Sequence, residues 1–166
     1  MSRRAAVAVV VATATERRIL DTLAKILPAA AASYEQCVID FGGPSRYSYR
    51  GVAHELREVL RESLEYLAPD AEVMAESGFK LEQGVNRPTQ RQKALHILRK
   101  RKLSREASAA PELAVSMVEE LGAAITRSAY TRGSRSAHVT TSSSEVRQLK
   151  MYVDAVLAEL LEIYAE

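Results

Sequence analysis

The chain has 166 residues, 47% of them hydrophobic and 27% charged, with a formal net charge of +2. This is the balance of a soluble globular domain with a real core, and it removes global charge as an argument for nucleic-acid binding, leaving only local clustering. The single cysteine, Cys37, excludes an intramolecular disulfide and a cysteine-based metal site, and it fits a reducing cytoplasm.

Residues 5–12 form a short apolar run after Arg3-Arg4, but Thr13, Thr15, Glu16, Arg17 and Arg18 follow at once. The run is too short to span a membrane, and it reads as a helix or a loose lead-in. Thr13-Ala14-Thr15-Glu16 has capping-box spacing. Ile19, Leu20, Leu23, Ile26 and Leu27 then recur at helical spacing, and Pro28 breaks or kinks the helix. The pattern resumes through Ala30, Tyr34, Cys37, Val38 and Phe41 until Gly42-Gly43-Pro44. Among those apolar neighbours Cys37 reads as a buried structural thiol.

A helix is predicted from about Tyr49 to Leu67, with Val52, Leu56, Val59, Leu60, Ser63, Leu64 and Leu67 inward and a mixed-charge outer face. Residues 69–88 form the longest irregular stretch, and Phe79 and Leu81 are expected to tuck onto the core. Thr89-Gln90-Arg91-Gln92 repeats the capping-box spacing and opens a helix from about Gln90 to Lys102 with Ala94, Ile97 and Leu98 inward, joined at its end by Leu103. From Arg87 to Arg105 there are eight Arg or Lys residues and no acid, including Arg91, Arg99, Lys100, Arg101 and Lys102. Such a run can grip phosphates; it equally suits a solvated helix end whose cations favour the C-terminal dipole.

Ser108-Ala109-Ala110-Pro111-Glu112 is expected to start a further helix with proline in its first turn, and Leu113, Met117, Leu121, Ala124, Ile125 and Ser128 inward. It leads into Tyr130-Thr131-Arg132-Gly133-Ser134-Arg135-Ser136-Ala137-His138, a dense polar and cationic stretch with Gly133 as a helix stop. Ser142 and Glu145 cap a last helix with the cleanest apolar stripe, Val146, Leu149, Val153, Val156, Leu157, Leu160, Leu161 and Tyr164. With no strand–helix alternation and no internal repeat, the expected fold is all-α: one domain over residues 1–166, a bundle of five to six helices.

Gly-rich phosphate loops, GxSxG and HExxH are missing. His54 and Glu58 share a helix face, but no second ligand pair accompanies them, so neither a metal site nor a cofactor site is expected. Arg132 and His138 are separated by five residues, which matches the Arg-x4–6-His pattern of the HEPN superfamily of helical ribonucleases. An imidazole can move the 2′-hydroxyl or leaving-group proton, and a fixed guanidinium can hold charge building on phosphate. Arg91 and His96 match the same pattern, but within one helix their five-step separation puts them on different faces.

The segments SRYSYRGVAHELREVLRESLEYLAPD, GFKLEQGVNRPTQRQKALHILRKR and YTRGSRSAHVTTSSSEVRQLKMYVDAVLAELLEI resemble the predicted nucleases associated with prokaryotic PIWI-type defence genes. The resemblance implies a HEPN-like bundle in a defence or toxin-type system, RNA as target, defence-system partner proteins and a homodimer whose two turns make one composite site. Arg132 and His138 would be catalytic, with Arg135 and Tyr130 positioning the phosphate. Gly133 departs from the common HEPN pattern, in which a polar residue often follows the arginine. Arg46, Tyr49 and Arg50, near His54, form a second candidate cluster. The alternative function is a non-catalytic nucleic-acid-binding or protein-interaction bundle.

Overall fold

The computed structural model describes residues 12–43, 48–102, 104–133 and 142–163, with backbone alone at 105 and 128–133. Among these residues there are seven helices and no strand: α1 (Ala14–Ile26), α2 (Pro28–Gly42), α3 (Arg50–Leu67), α4 (Asp70–Met74), α5 (Gln90–Lys100), α6 (Arg105–Gly133) and α7 (Ser143–Leu160). The all-α bundle is as expected, with one element more than the five or six predicted.

Local chemistry sets most of the boundaries. Thr13 with Glu16, Thr89 with Gln92 and Ser142 with Glu145 each form a complete capping box, so α1, α5 and α7 start where their side chains satisfy free N–H groups. Pro28 sits in the first turn of α2 and separates it from α1 at Leu27, since a residue before proline avoids helical geometry. α1 buries Ile19 and Leu23, while α2 buries Ala30, Tyr34 and Cys37. α3 buries Val52, Leu56, Val59, Leu60, Ser63 and Leu64, with the Ser63 hydroxyl donating to the Val59 carbonyl at 2.7 Å. The α7 stripe is buried from Val146 to Leu160. Leu103 and Tyr164 lie outside the described residues, as do residues 1–11 of the lead-in.

Four local expectations are corrected. The 69–88 stretch contains α4, started by Pro69, whose carbonyl accepts from Glu72 and Val73. Phe79 does pack on the core, but Leu81 is exposed. α5 ends at Lys100, because Lys102 takes a left-handed φ of 57° that a helix cannot continue. α6 begins at Arg105, so Pro111 lies inside the helix rather than in its first turn.

The inner face of α6 also differs. Ile125 is buried and Leu121 packs on the core as expected, but Val115, Val118 and Gly122 are buried too, while Leu113 is 63% exposed and Ala124 is exposed. A Cβ on Gly122 would meet Arg57 Nε at 2.7 Å, so added bulk there has to displace the Arg57 side chain.

The direction of the long helices follows from two contacts. Arg101, just before α6, bonds to the carbonyls of Glu159 and Leu160 at the end of α7. α6 therefore starts beside the end of α7, packs on it, and runs antiparallel to it. The other end of α7 carries Arg147, whose guanidinium lies 5.3 Å over the Phe41 ring at the end of α2. Phe41 in turn stacks on Tyr49, which leads into α3, at 5.6 Å between ring centroids. One end of the bundle thus gathers the end of α2, the start of α3, the end of α6 and the start of α7.

Candidate functional site

That end of the bundle is where the α6 backbone delivers Tyr130, Arg132 and Gly133, the last turn of a 29-residue helix. A cation in a last turn is favoured by the partial negative charge of the helix C-terminus. Arg135 and His138 lie outside the described residues, as does Arg46. Arg50, His54 and Arg147 are exposed. The structure therefore brings the backbone of Arg132 to the same end of the fold as Arg50 and His54. Arg147 is a member that sequence reasoning missed. Nothing local marks it; its place over Phe41 depends on contact between helices far apart in sequence.

The Arg87–Arg105 run meets a different environment from the one its sequence suggests. Folding supplies the acids that the segment lacks. Arg91 is held by Glu112 of α6, with Nε at 2.9 Å and Nη2 at 2.7 Å from one carboxylate oxygen, and its Nη1 lies 4.0 Å from Glu82. Arg99 lies 3.5 Å from Glu76, and Lys100 bonds to Glu72. Arg101 Nη1 donates to the Glu159 carbonyl at 2.8 Å, and its Nε lies 3.3 Å from Glu162. Lys102 is exposed. Arg99 and Lys100 keep more than half of their side-chain surface open, at 63% and 61%, so they still present charge to solvent.

Two buried cations were not foreseen as such. Lys93 is 3% exposed, donating to Glu65 at 2.5 Å and to the Ala68 carbonyl at 3.0 Å, with Asp70 at 2.7 Å. It closes the C-terminus of α3 and ties it to α5. Lys150 donates to Glu16 and to Asp154, each at 2.5 Å, and its ammonium lies 5.3 Å from the Tyr34 ring centroid. The Tyr34 hydroxyl donates to the second Asp154 oxygen at 2.6 Å. Burial, then the Asp154 charge, drives the Tyr34 phenol far above its ordinary range. Burial raises the Asp154 carboxyl against the pull of Lys150 and Tyr34. The available signal was a lysine inside the apolar stripe of α7, one turn from Val146 and Val153.

His96 is 8% exposed, with Nδ1 3.0 Å from Glu76 and Nε2 3.2 Å from Glu72. Both carboxylates are committed to this ring and to Lys100 or Arg99, so in the second Arg–His match His96 serves the packing of α4 on α5 while Arg91 turns to Glu112 of α6. Cys37 is buried, and burial pushes its thiol up to about 12, which suits a packed side chain rather than a nucleophile. Among the described residues no group of three or more His, Cys, Asp or Glu side chains is arranged to hold a metal ion. Among the described residues no helix is long and apolar enough to cross a membrane.

Residues 23–160 match the family model described as predicted pPIWI-associating nuclease. The chain belongs to that family. The match runs from α1 into the last turn of α7 and includes the whole 130–138 stretch. Neither a curated protein nor a solved structure matches the chain.

Proposed function

We propose that this nuclease-family chain is a metal-independent endoribonuclease domain of a prokaryotic defence or toxin-type system, acting in the cytoplasm with PIWI-type partner proteins. The observation that carries the reading is the family membership, over a match that spans the Arg132 to His138 stretch. The delivery of Arg132 to an end of the bundle that also exposes Arg50, His54 and Arg147 supports it.

In this proposal His138 takes the proton of an RNA 2′-hydroxyl. The 2′-oxygen forms a bond to phosphorus and the bond to the 5′-oxygen breaks. The leaving oxygen takes a proton from an imidazolium, His138 or its counterpart in a second copy. The products are a 2′,3′-cyclic phosphate and a 5′-hydroxyl, so the step needs no water and no metal. Arg132 holds the charge that builds on the phosphorane, while Arg135 and Tyr130 orient the phosphate. Arg99, Lys100 and Lys102 are proposed as outer strand contacts, whereas Arg91 and Arg101 are engaged in holding the fold.

The test is cleavage of RNA in EDTA by wild type, His138→Ala and Arg132→Ala. Each substitution is expected to slow cleavage by about 100-fold or more, with cyclic-phosphate ends in the wild-type products. Undiminished cleavage by either variant removes the role given to that residue. A homodimer is part of the same proposal. The exposed Leu113 on α6, beside the half-buried Met117, offers it apolar area, and Leu113→Glu is expected to shift sedimentation toward the monomer. Unchanged sedimentation would place any dimer contact elsewhere.

A further inference from the structure

A cleft of about 750 Å3 opens between α3, the 84–89 turn, the start of α5 and Glu119 of α6. Glu119 lies thirteen residues before Arg132 on the same helix, about 20 Å along its axis, so the cleft is separate from the last turn of α6. Its volume is in the range that holds a small organic ligand rather than a lone ion.

Three kinds of surface meet in it. Val85, 40% exposed, supplies the open apolar surface against which a flat ring can lie, with Leu64 and Pro88 buried in the same wall. Arg61 and Arg87 supply positive charge, with 42% and 59% of their side chains open. Arg87 is the less committed of the two: its ion pair with Asp70 spans 3.9 Å, whereas Arg61 sits 2.9 Å from Glu58. The third surface is the Glu119 carboxylate. It takes no hydrogen bond from the described residues. Glu119 is an exposed residue of the cleft lining, and partial desolvation there, then the neighbouring Glu82 charge, raise its carboxyl above the ordinary value, with Arg91 and Arg57 only partly opposing. A ligand that brings N–H donors to this carboxylate relieves that cost.

The ligand that fits all three has an anion, a flat ring and two adjacent N–H donors on the ring edge. Among the four RNA bases only guanine offers such a pair, N1–H beside N2–H; in adenine and cytosine the amino group neighbours an acceptor, and in uracil N3–H lies between two carbonyls. We infer that this cleft takes one guanine nucleotide, free or within a single strand, with its phosphate on Arg87 and Arg61 and its N1–H and N2–H edge on the Glu119 carboxylate. The inference deepens the ribonuclease reading by naming a base preference, and it rests on that reading only for the strand as the natural source.

The experiment is calorimetric titration of the full chain carrying His138→Ala, which keeps RNA uncut, with 5′-GMP, 5′-AMP, 5′-CMP, 5′-UMP and inorganic phosphate. GMP is expected to bind about tenfold or more tightly than the other four. Arg87→Ala is expected to weaken GMP binding by about tenfold, and Glu119→Gln to erase the preference among bases while the circular-dichroism spectrum stays helical. Equal affinity for the four nucleotides, phosphate binding as tightly as GMP, or a preference that survives Glu119→Gln would overturn the inference. A short oligoribonucleotide with one guanosine binding at least as well as GMP identifies a strand as the source; GMP binding without oligonucleotide binding identifies the free nucleotide. Because the readout is binding, the cleft stands if wild type cuts no RNA, and the nuclease stands if the cleft binds nothing.

Discussion

Arg101 Nη1 donates to the carbonyl of Glu159 at 2.8 Å and thereby closes the C-terminus of α7 from the turn that precedes α6. A guanidinium in this position adds a charged donor to the Glu159 carbonyl, which also accepts from the Glu162 N–H at 3.2 Å, and sits in the favourable field of the helix end. Arg101→Ala is expected to lower unfolding free energy by about 1–2 kcal/mol, without the weakening of RNA affinity that a phosphate contact would show. Urea unfolding and an RNA titration on the same variant separate the two roles. Intact stability with lost affinity would restore Arg101 to the nucleic-acid surface.

Lys150 and its partners predict an unequal response to substitution. Tyr34→Phe removes one hydrogen bond and leaves Asp154 paired with Lys150, for a cost of about 1 kcal/mol. Lys150→Met leaves Glu16 and Asp154 facing each other without a cation, for a cost of about 3–5 kcal/mol. Chemical unfolding of both variants checks the order. Equal losses would mean that the ion pairs are screened by water and the charge argument does not apply.

Gly122 and Arg57 give a steric prediction with a sign change. Gly122→Ala gains about 1 kcal/mol of helix propensity but drives the new Cβ into the Arg57 side chain, so the two terms nearly cancel. Gly122→Val adds bulk that the α3–α6 contact cannot accommodate, and it is expected to destabilise by about 1–3 kcal/mol. Melting temperatures of the pair test this. A Gly122→Val protein as stable as wild type would show that the two helices do not approach closely here.

The carboxylates around His96 set part of the acid limb of stability. The Lys100 and His96 hydrogen bonds hold the Glu72 carboxyl below its usual 4.5, and His96, then the nearby Arg99 charge, do the same for Glu76 against a raising effect of burial. Groups depressed in the folded state contribute stability that is present above their unfolded value and is lost as pH falls through the folded one. Asp154 and Glu119 are raised and contribute with the opposite sign. The Glu72→Gln, Glu76→Gln double variant is therefore expected to lose stability less steeply than wild type below about pH 4.5. Parallel unfolding curves at each pH for the two proteins would refute the assignment.

Much of the architecture was legible locally. Three capping boxes, one proline and the stripes of α3 and α7 act through neighbours within a turn or two, and each element appears where those signals put it. α6 was not legible in the same way. Of its expected inner face Ile125 is buried and Leu121 packs on the core, but Leu113 and Ala124 are exposed and Val115 and Val118 are buried instead. The surroundings of the basic run were not legible either. Its acids, Asp70, Glu72, Glu76, Glu112 and Glu162, come from other elements, so charge density along the chain did not equal charge density in space.

The sequence by itself determined that the chain is helical, where most helices begin, that Cys37 is buried, and which family the chain resembles. These depend on hydrogen bonds and periodicities a few residues long, and on a pattern spread over most of the chain. The tertiary structure alone decided which residues of α6 are core, that the end of α6 and the start of α3 share one end of the bundle, and that Glu119, Arg61 and Arg87 line one cleft. Those facts depend on how helices distant in sequence cross and close on one another, and no local pattern encodes a crossing.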